Sequence, residues 1–178
     1  MKKVLILFAS PRKNGNTHFV TVSVIKGIEY EASIEWIFVS DLKISPCSAC
    51  NGCEPSGICI IEDAMTEIYK KTNEADIVIV ASPLYFNSVS AQLKILIDRY
   101  QAIYAGKQNS KILIDKPRKG YFICTAGSPK ANFTGAKMVM ELFFKTMNAN
   151  YSGDLLIADT DKVVAQENKN IDYISFLK

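Results

Sequence analysis

Apolar positions along this chain fall into two kinds of run that take turns. Val4–Ser10 is almost continuously apolar, as expected of a strand buried on both faces of a parallel sheet. Ser33–Ser40, Asp76–Ser82, Gly120–Thr125 and Leu155–Ala158 repeat that signature. Between them the spacing changes to that of helices. Leu93, Leu96, Ile97, Tyr100 and Ile103 share one face of a helix over Ala91–Tyr104. Ala136, Val139, Met140, Phe143 and Met147 do the same further on. Another helix is predicted from near Asp63, and a last one over 161–178. The segment Val20–Ile25 is β-branched, and propensity alone favours a strand there. It is nevertheless read as helix, because a strand so close behind the first could not be reached by a parallel crossover. The alternation predicts βαβ units with right-handed crossovers. Five strands suit one α/β domain over 1–178, in three layers, with a cysteine-rich insert at 46–59.

Composition narrows the partners. The chain has 178 residues, 48% of them hydrophobic and 22% charged, with a net charge of +3. That charge is small and dispersed, which excludes nucleic acid and points to a small anionic ligand. The longest apolar runs fall far short of the roughly 20 residues that span a bilayer. Met1-Lys2-Lys3 is basic, but Val4–Ala9 is too short for the apolar core of a signal peptide and runs into Pro11-Arg12-Lys13. A cytoplasmic protein without membrane contact is expected, with its thiols reduced.

Candidate chemistry sits in the loops that follow the strands. Residues 9–19, ASPRKNGNTHF, bring hydroxyl and amide donors at Ser10, Asn14, Asn16 and Thr17, cations at Arg12 and Lys13, and a flexible joint at Gly15. Asn16 or Thr17 is expected to cap the next helix, whose first N–H groups then face the loop. Such an N-terminus suits a phosphate, and equally a plain polar turn. Neither the P-loop nor the dinucleotide fingerprint is present.

Residues 46–59, PCSACNGCEPSGIC, gather four of the five cysteines as Cys47-x2-Cys50-x2-Cys53-x5-Cys59. Three cysteines at x2 spacing are the compact run that wraps a [4Fe–4S] cluster. Zinc also takes four thiolates, usually from two separated pairs. A redox disulfide and a loop of free thiols stay open as well. Cys124, in the apolar run YFICT, is read as a buried core thiol.

Two segments carry a family resemblance. SPRKNGNT at 10–17 resembles the phosphate loop of the flavodoxin-like NAD(P)H-dependent FMN reductases, with Ala9 where that family commonly has Gly. SPLYFNSVSAQLKILIDR at 82–99 is similar to the segment of the same family that lies along the flavin ring. The resemblance implies strand order 2-1-3-4-5 and FMN at the carboxyl edge of the sheet. Ser10, Arg12, Asn14, Asn16 and Thr17 would hold the phosphate. Pro83, Leu84, Tyr85, Phe86, Asn87 and Ser88 would line the ring, and Thr125, Ala126 and Gly127 would close the pocket. The cysteine run preceding S-P-x-Y resembles the iron–sulfur flavoprotein branch, which implies a [4Fe–4S] cluster on Cys47, Cys50, Cys53 and Cys59. NAD(P)H or ferredoxin is then the expected electron donor, and a homodimer or homotetramer the expected assembly. The function so implied is an FMN-dependent oxidoreductase relaying electrons between flavin and cluster, with the chemistry on the flavin and no catalytic side chain. A cluster-free NAD(P)H-dependent FMN or quinone reductase, a flavodoxin-like carrier and a zinc-stabilised interaction domain are the rivals.

The remaining notable residues receive quieter readings. His18 is the only histidine, which argues against His-based metal sites and Ser-His-Asp catalysis, and it is read as a solvated first-turn residue. Asp98 and Arg99 suggest an ion pair or subunit contact. Trp36 is assigned to the core, and Asp63, Asp159 and Asp161 to the solvated surface.

Overall fold

A computed structural model of the chain describes residues 1–26, 28, 32–109 and 114–162. Strands β1 (Lys2–Phe8), β2 (Ala32–Phe38), β3 (Ile77–Pro83), β4 (Arg118–Thr125) and β5 (Ala149–Ile157) form one sheet in the order β2-β1-β3-β4-β5. Every pairing is parallel. This is the doubly wound flavodoxin-like order expected from the sequence.

Helices α1 (Asn16–Ile25), α2 (Met65–Glu74), α3 (Ala91–Arg99), α4 (Gln101–Gln108) and α5 (Thr134–Thr146) cover the two faces. One apolar cluster joins Leu5, Leu7, Val78 and Val80 to Leu93, Leu96, Met140 and Phe143; the other joins Val4, Ile6, Phe8, Ile77 and Ile79 to Val20, Val24 and Ile25. The β-branched α1 is helical because its buried positions, Thr17, Val20, Thr21, Val24 and Ile25, follow a 3.6-residue period. Burial against the sheet overrides the weak local preference.

Several sequence expectations are corrected. The helix expected over Ala91–Tyr104 breaks into α3 and α4 at Tyr100, whose ψ of −1° leaves the helical range. The Tyr100 ring is buried, bonded through its hydroxyl to Thr72 Oγ1 at 2.7 Å and set edge-on to Phe143. β5 begins six residues before the expected Leu155, because as an edge strand it tolerates the polar run Asn150–Asp154. Trp36 is only half-buried on edge strand β2, stacked on Phe38. His18 is not freely solvated: its half-buried ring meets Phe8 edge-on at 5.7 Å. Of the helix expected over 161–178, residues 161 and 162 form a turn and the rest lies outside the described residues.

Candidate functional site

Three loops leave the carboxyl ends of β1, β3 and β4, where an open α/β sheet binds its ligands. The first runs from Ser10 to the start of α1. Ser10 is buried, and its hydroxyl pairs with the backbone of Arg12 at 3.2 Å. It shapes the loop from inside, while the side chains of Arg12 and Asn14 stay exposed. Lys13 turns away to an ion pair with Asp41 at 2.6 Å and lies over the Phe38 ring. Helix α1 starts at Asn16, and its N-cap is Gly15, with no side chain capping it. That corrects the expectation of an Asn16 or Thr17 cap: the cap position is a glycine, which has no side-chain acceptor to offer. Thr17 is buried and its hydroxyl meets that of Thr125 at 2.7 Å, joining the first loop to the third. Asn16 Nδ2 donates to the Thr160 carbonyl at 3.1 Å.

The second loop is a tight hairpin turn. Tyr85 and Ser88 exchange backbone hydrogen bonds of 2.9 and 3.0 Å around Phe86 and Asn87. Both central residues are left-handed, with φ of 49° and 58°, as in a type I′ turn. Phenylalanine resists that conformation, which costs about 1–2 kcal/mol, and the Phe86 ring is fully exposed. The turn thus keeps a strained backbone with an aromatic surface in solvent. Below the turn, Ser90 caps α3 by accepting from Leu93 N at 3.4 Å, and its hydroxyl donates to the Ala9 carbonyl at 2.8 Å.

The third loop is held by β5. Ala126 N donates to Ile157 O, and the Ala126 carbonyl accepts from both N and Oγ1 of Thr160 at 3.0 Å. A Cβ on Gly127 would stand 2.2 Å from the Asp161 carboxylate, which packs directly over this glycine and would have to turn aside to admit a side chain. The stretch 159–161 is therefore part of the site's frame, a contribution the sequence reading missed. Gly135 was missed too: a Cβ there would stand 2.5 Å from the Asn87 carbonyl, so the start of α5 supports the hairpin. Its only sequence signal is a glycine in the first turn of a helix.

The cysteine loop lies apart from these three, between the 3-10 turn Val39–Asp41 and α2. Cys47, Cys50, Cys53 and Cys59 are free thiols, and all four line one cavity of about 50 Å³. Each segment between consecutive cysteines contains one left-handed residue: Ala49, Asn51 and Gly57. Those reversals bring the thiols to one side of the loop. Gly52 lies so close to Ile60 that an added Cβ would be 2.9 Å from its side chain. Among the described residues no three Cys, His, Asp or Glu side chains converge on a single ion. Burial raises the pKa of Cys53, and the charges of Cys59, Cys47 and Cys50 add to it. Cys50 is lowered, by the Gly52 N–H and then the Ser48 hydroxyl. Cys124 is fully buried in β4, away from this group, as expected.

Arg99 closes the neck of the loop. Its Nη1 donates to the Ser45 carbonyl at 2.8 Å and to Asp63 at 2.5 Å, and its Nη2 to the Ile61 carbonyl at 3.1 Å. Asp63 is thus not a surface acid: its side chain is 11% exposed and pairs with a fully buried guanidinium. Asp98 instead faces outward to Lys94 at 2.6 Å.

A doubly wound parallel sheet in the order β2-β1-β3-β4-β5 defines the flavodoxin-like class of fold. Residues 2–162 match the profile of the NADPH-dependent FMN reductases, and the chain belongs to that family. It is 42% identical over 107 residues to an iron-sulfur flavoprotein of Methanocaldococcus jannaschii, covering 60% of this chain and 55% of that one. It is 30% identical over 154 residues to an iron-sulfur flavoprotein of Clostridioides difficile, covering 84% and 63%. The chain thus spans only a little over half the length of the first of these relatives. Among solved structures, an FMN-dependent NADH-azoreductase of Bacillus anthracis in complex with FMN matches with a TM-score of 0.64 at 14% identity, over 90% of this chain and 88% of that one. No helix among the described residues is long and apolar enough to cross a membrane.

Proposed function

We propose that this protein is an FMN-dependent oxidoreductase that also holds a [4Fe–4S] cluster on its four clustered cysteines. The observation that carries this reading is that all four thiols line one cavity beside α3, the helix that begins directly behind the strained Tyr85–Ser88 turn. Membership of the FMN reductase family and relatives named iron-sulfur flavoproteins support it.

The residues fit both groups. The uncapped N-terminus of α1, with Arg12 and Asn14 exposed beside it, suits a phosphate dianion. Ser10 and Thr17 keep that loop in shape through their buried hydroxyls. Tyr85 and Phe86 present apolar surface for a flavin ring, with Pro83, Leu84, Asn87 and Ser88 forming the turn and Thr125, Ala126 and Gly127 the opposite wall. Four thiolates this close repel one another unless cations share them, as the mutual effect on Cys53 shows. Three cysteines at x2 spacing with a fourth close behind suit a [4Fe–4S] cluster better than one zinc ion, which usually takes two separated pairs. Bound FMN accepts a hydride or single electrons, and a bound cluster exchanges one electron at a time. The chain's own part is to bind, orient and exclude water. Cys47 and Cys50 are exposed, so a one-electron partner such as a ferredoxin would reach the cluster from that face, while NAD(P)H would meet the flavin at the sheet edge.

The test is anaerobic purification followed by a visible spectrum and iron and sulfide analysis. Flavin bands over a broad shoulder near roughly 400 nm, with about four irons per chain, are expected. Flavin without iron would leave a plain FMN reductase, and no flavin would overturn the reading.

A further inference from the structure

Arg99 has more contacts than a loop staple requires. Its side chain is fully buried, and three hydrogen bonds tie it to Ser45, Ile61 and Asp63. Its Nε is also buried but has no hydrogen-bond partner among the described residues. A buried guanidinium donor left unmade is costly, and such an atom in a native fold calls for an explanation. The guanidinium lines the same cavity as the four thiols. Nη2 holds the Ile61 carbonyl, two residues from Cys59, and Cys59 lines that cavity too, so it is the cysteine brought up to this guanidinium.

We propose that Arg99 is a positioning residue of the cluster site, whose Nε–H donates to the Cys59 thiolate once that thiolate ligates iron. The proposal rests on the cluster reading above. Two effects follow from one side chain. The planar fork pins Ser45 and Ile61, the residues flanking the loop, so the cavity keeps its shape without iron. The charge and the N–H···S bond stabilise the cluster more when it has gained an electron, because its negative charge is then larger by one. Asp63 moderates that effect, since its carboxylate neutralises part of the guanidinium charge.

The test is a redox titration of the cluster, followed by electron paramagnetic resonance, in anaerobically purified wild type, Arg99→Gln, Arg99→Lys and Asp63→Asn. Wild type is measured first, and absence of iron there overturns the cluster reading and this inference together. With iron present, Arg99→Gln is expected to make reduction at least tenfold harder, about 59 mV for one electron. Arg99→Lys keeps the charge and is expected to restore most of that shift while losing iron faster to a chelator. Asp63→Asn is expected to make reduction several-fold easier, opposite in sign to Arg99→Gln. A potential unchanged within twofold in an iron-replete Arg99→Gln protein would overturn the assignment, leaving the cluster reading intact. Should Arg99→Gln fail to fold or retain iron, Asp63→Asn decides: an easier reduction supports the role, and an unchanged or harder one overturns it.

Discussion

Phe86 stands with its ring in solvent on a backbone that phenylalanine resists. Glycine adopts that conformation freely, and no buried contact is lost with the ring. Phe86→Gly is therefore expected to leave the melting temperature of the apoprotein unchanged or slightly higher. The same variant is expected to weaken FMN binding about tenfold, near the value of one aromatic contact, about 0.5–1.5 kcal/mol, read by flavin fluorescence titration. Cys124 presents the opposite case. Burial alone pushes its thiol up to about 12, so at pH 8 it stays protonated and inert. Alkylation of the native apoprotein is expected to label four cysteines and to reach Cys124 only after denaturation, as mass spectrometry would show. This contrast between clustered and buried thiols was visible in the sequence, because the apolar neighbours of Cys124 announce its strand. The pairing of Asp63 with Arg99 was not, because 36 residues separate the partners and only the packing of α3 against the cysteine loop joins them.

At the level of elements, the strands and their order were legible because burial on both faces writes a continuous apolar run. β1 and β3 show it most fully and were placed within two residues. β5 was read short, since an edge strand half in water loses that signature. The two loops that carry the family resemblance could be read because each is contiguous in the chain. Their supports could not: Gly135 reaches Asn87 from a different helix, and Thr160 reaches Ala126 from a different strand. Gly135→Ala tests that frame. Overpacking by one methyl group against a backbone carbonyl costs about 1–3 kcal/mol, and FMN affinity is expected to fall with stability because the hairpin must shift. Gly120→Ala serves as the comparison. Its Cβ would press on the buried Phe144 ring at 2.6 Å, far from the ligand edge, so stability is expected to fall while FMN affinity of the folded protein holds.

For the molecule as a whole, the buried pair of Asp63 and Arg99 ties the cysteine loop to the sheet layers. Burial raises the pKa of Asp63, but the bonds from Arg99, Met65 N and Ser45 N outweigh it and hold it below the usual carboxylate value. A lowered acid stabilises the fold above its unfolded pKa, about 3.9, and loses that contribution as pH falls through the folded value. Asp63→Asn leaves the guanidinium uncompensated, at a cost of about 3 kcal/mol. The gap in melting temperature between wild type and Asp63→Asn is expected to stay constant from neutral pH to about 5 and to close below about 4.

Helix α3 also acts as a ruler. Ser90 anchors its first turn to the ends of β1 and β3, through Ala9 and Ser82, behind the Tyr85–Ser88 turn. Its last residue, Arg99, grips the cysteine loop. Nine residues lie between cap and break, a rigid span of about 14 Å at 1.5 Å per residue. The distance between the Tyr85–Ser88 turn and the cysteine loop is thus written in helical turns, and so is their phase. One residue inserted into α3 would swing Arg99 about 100° around the axis, turning the grip away from the loop while every strand stayed in place.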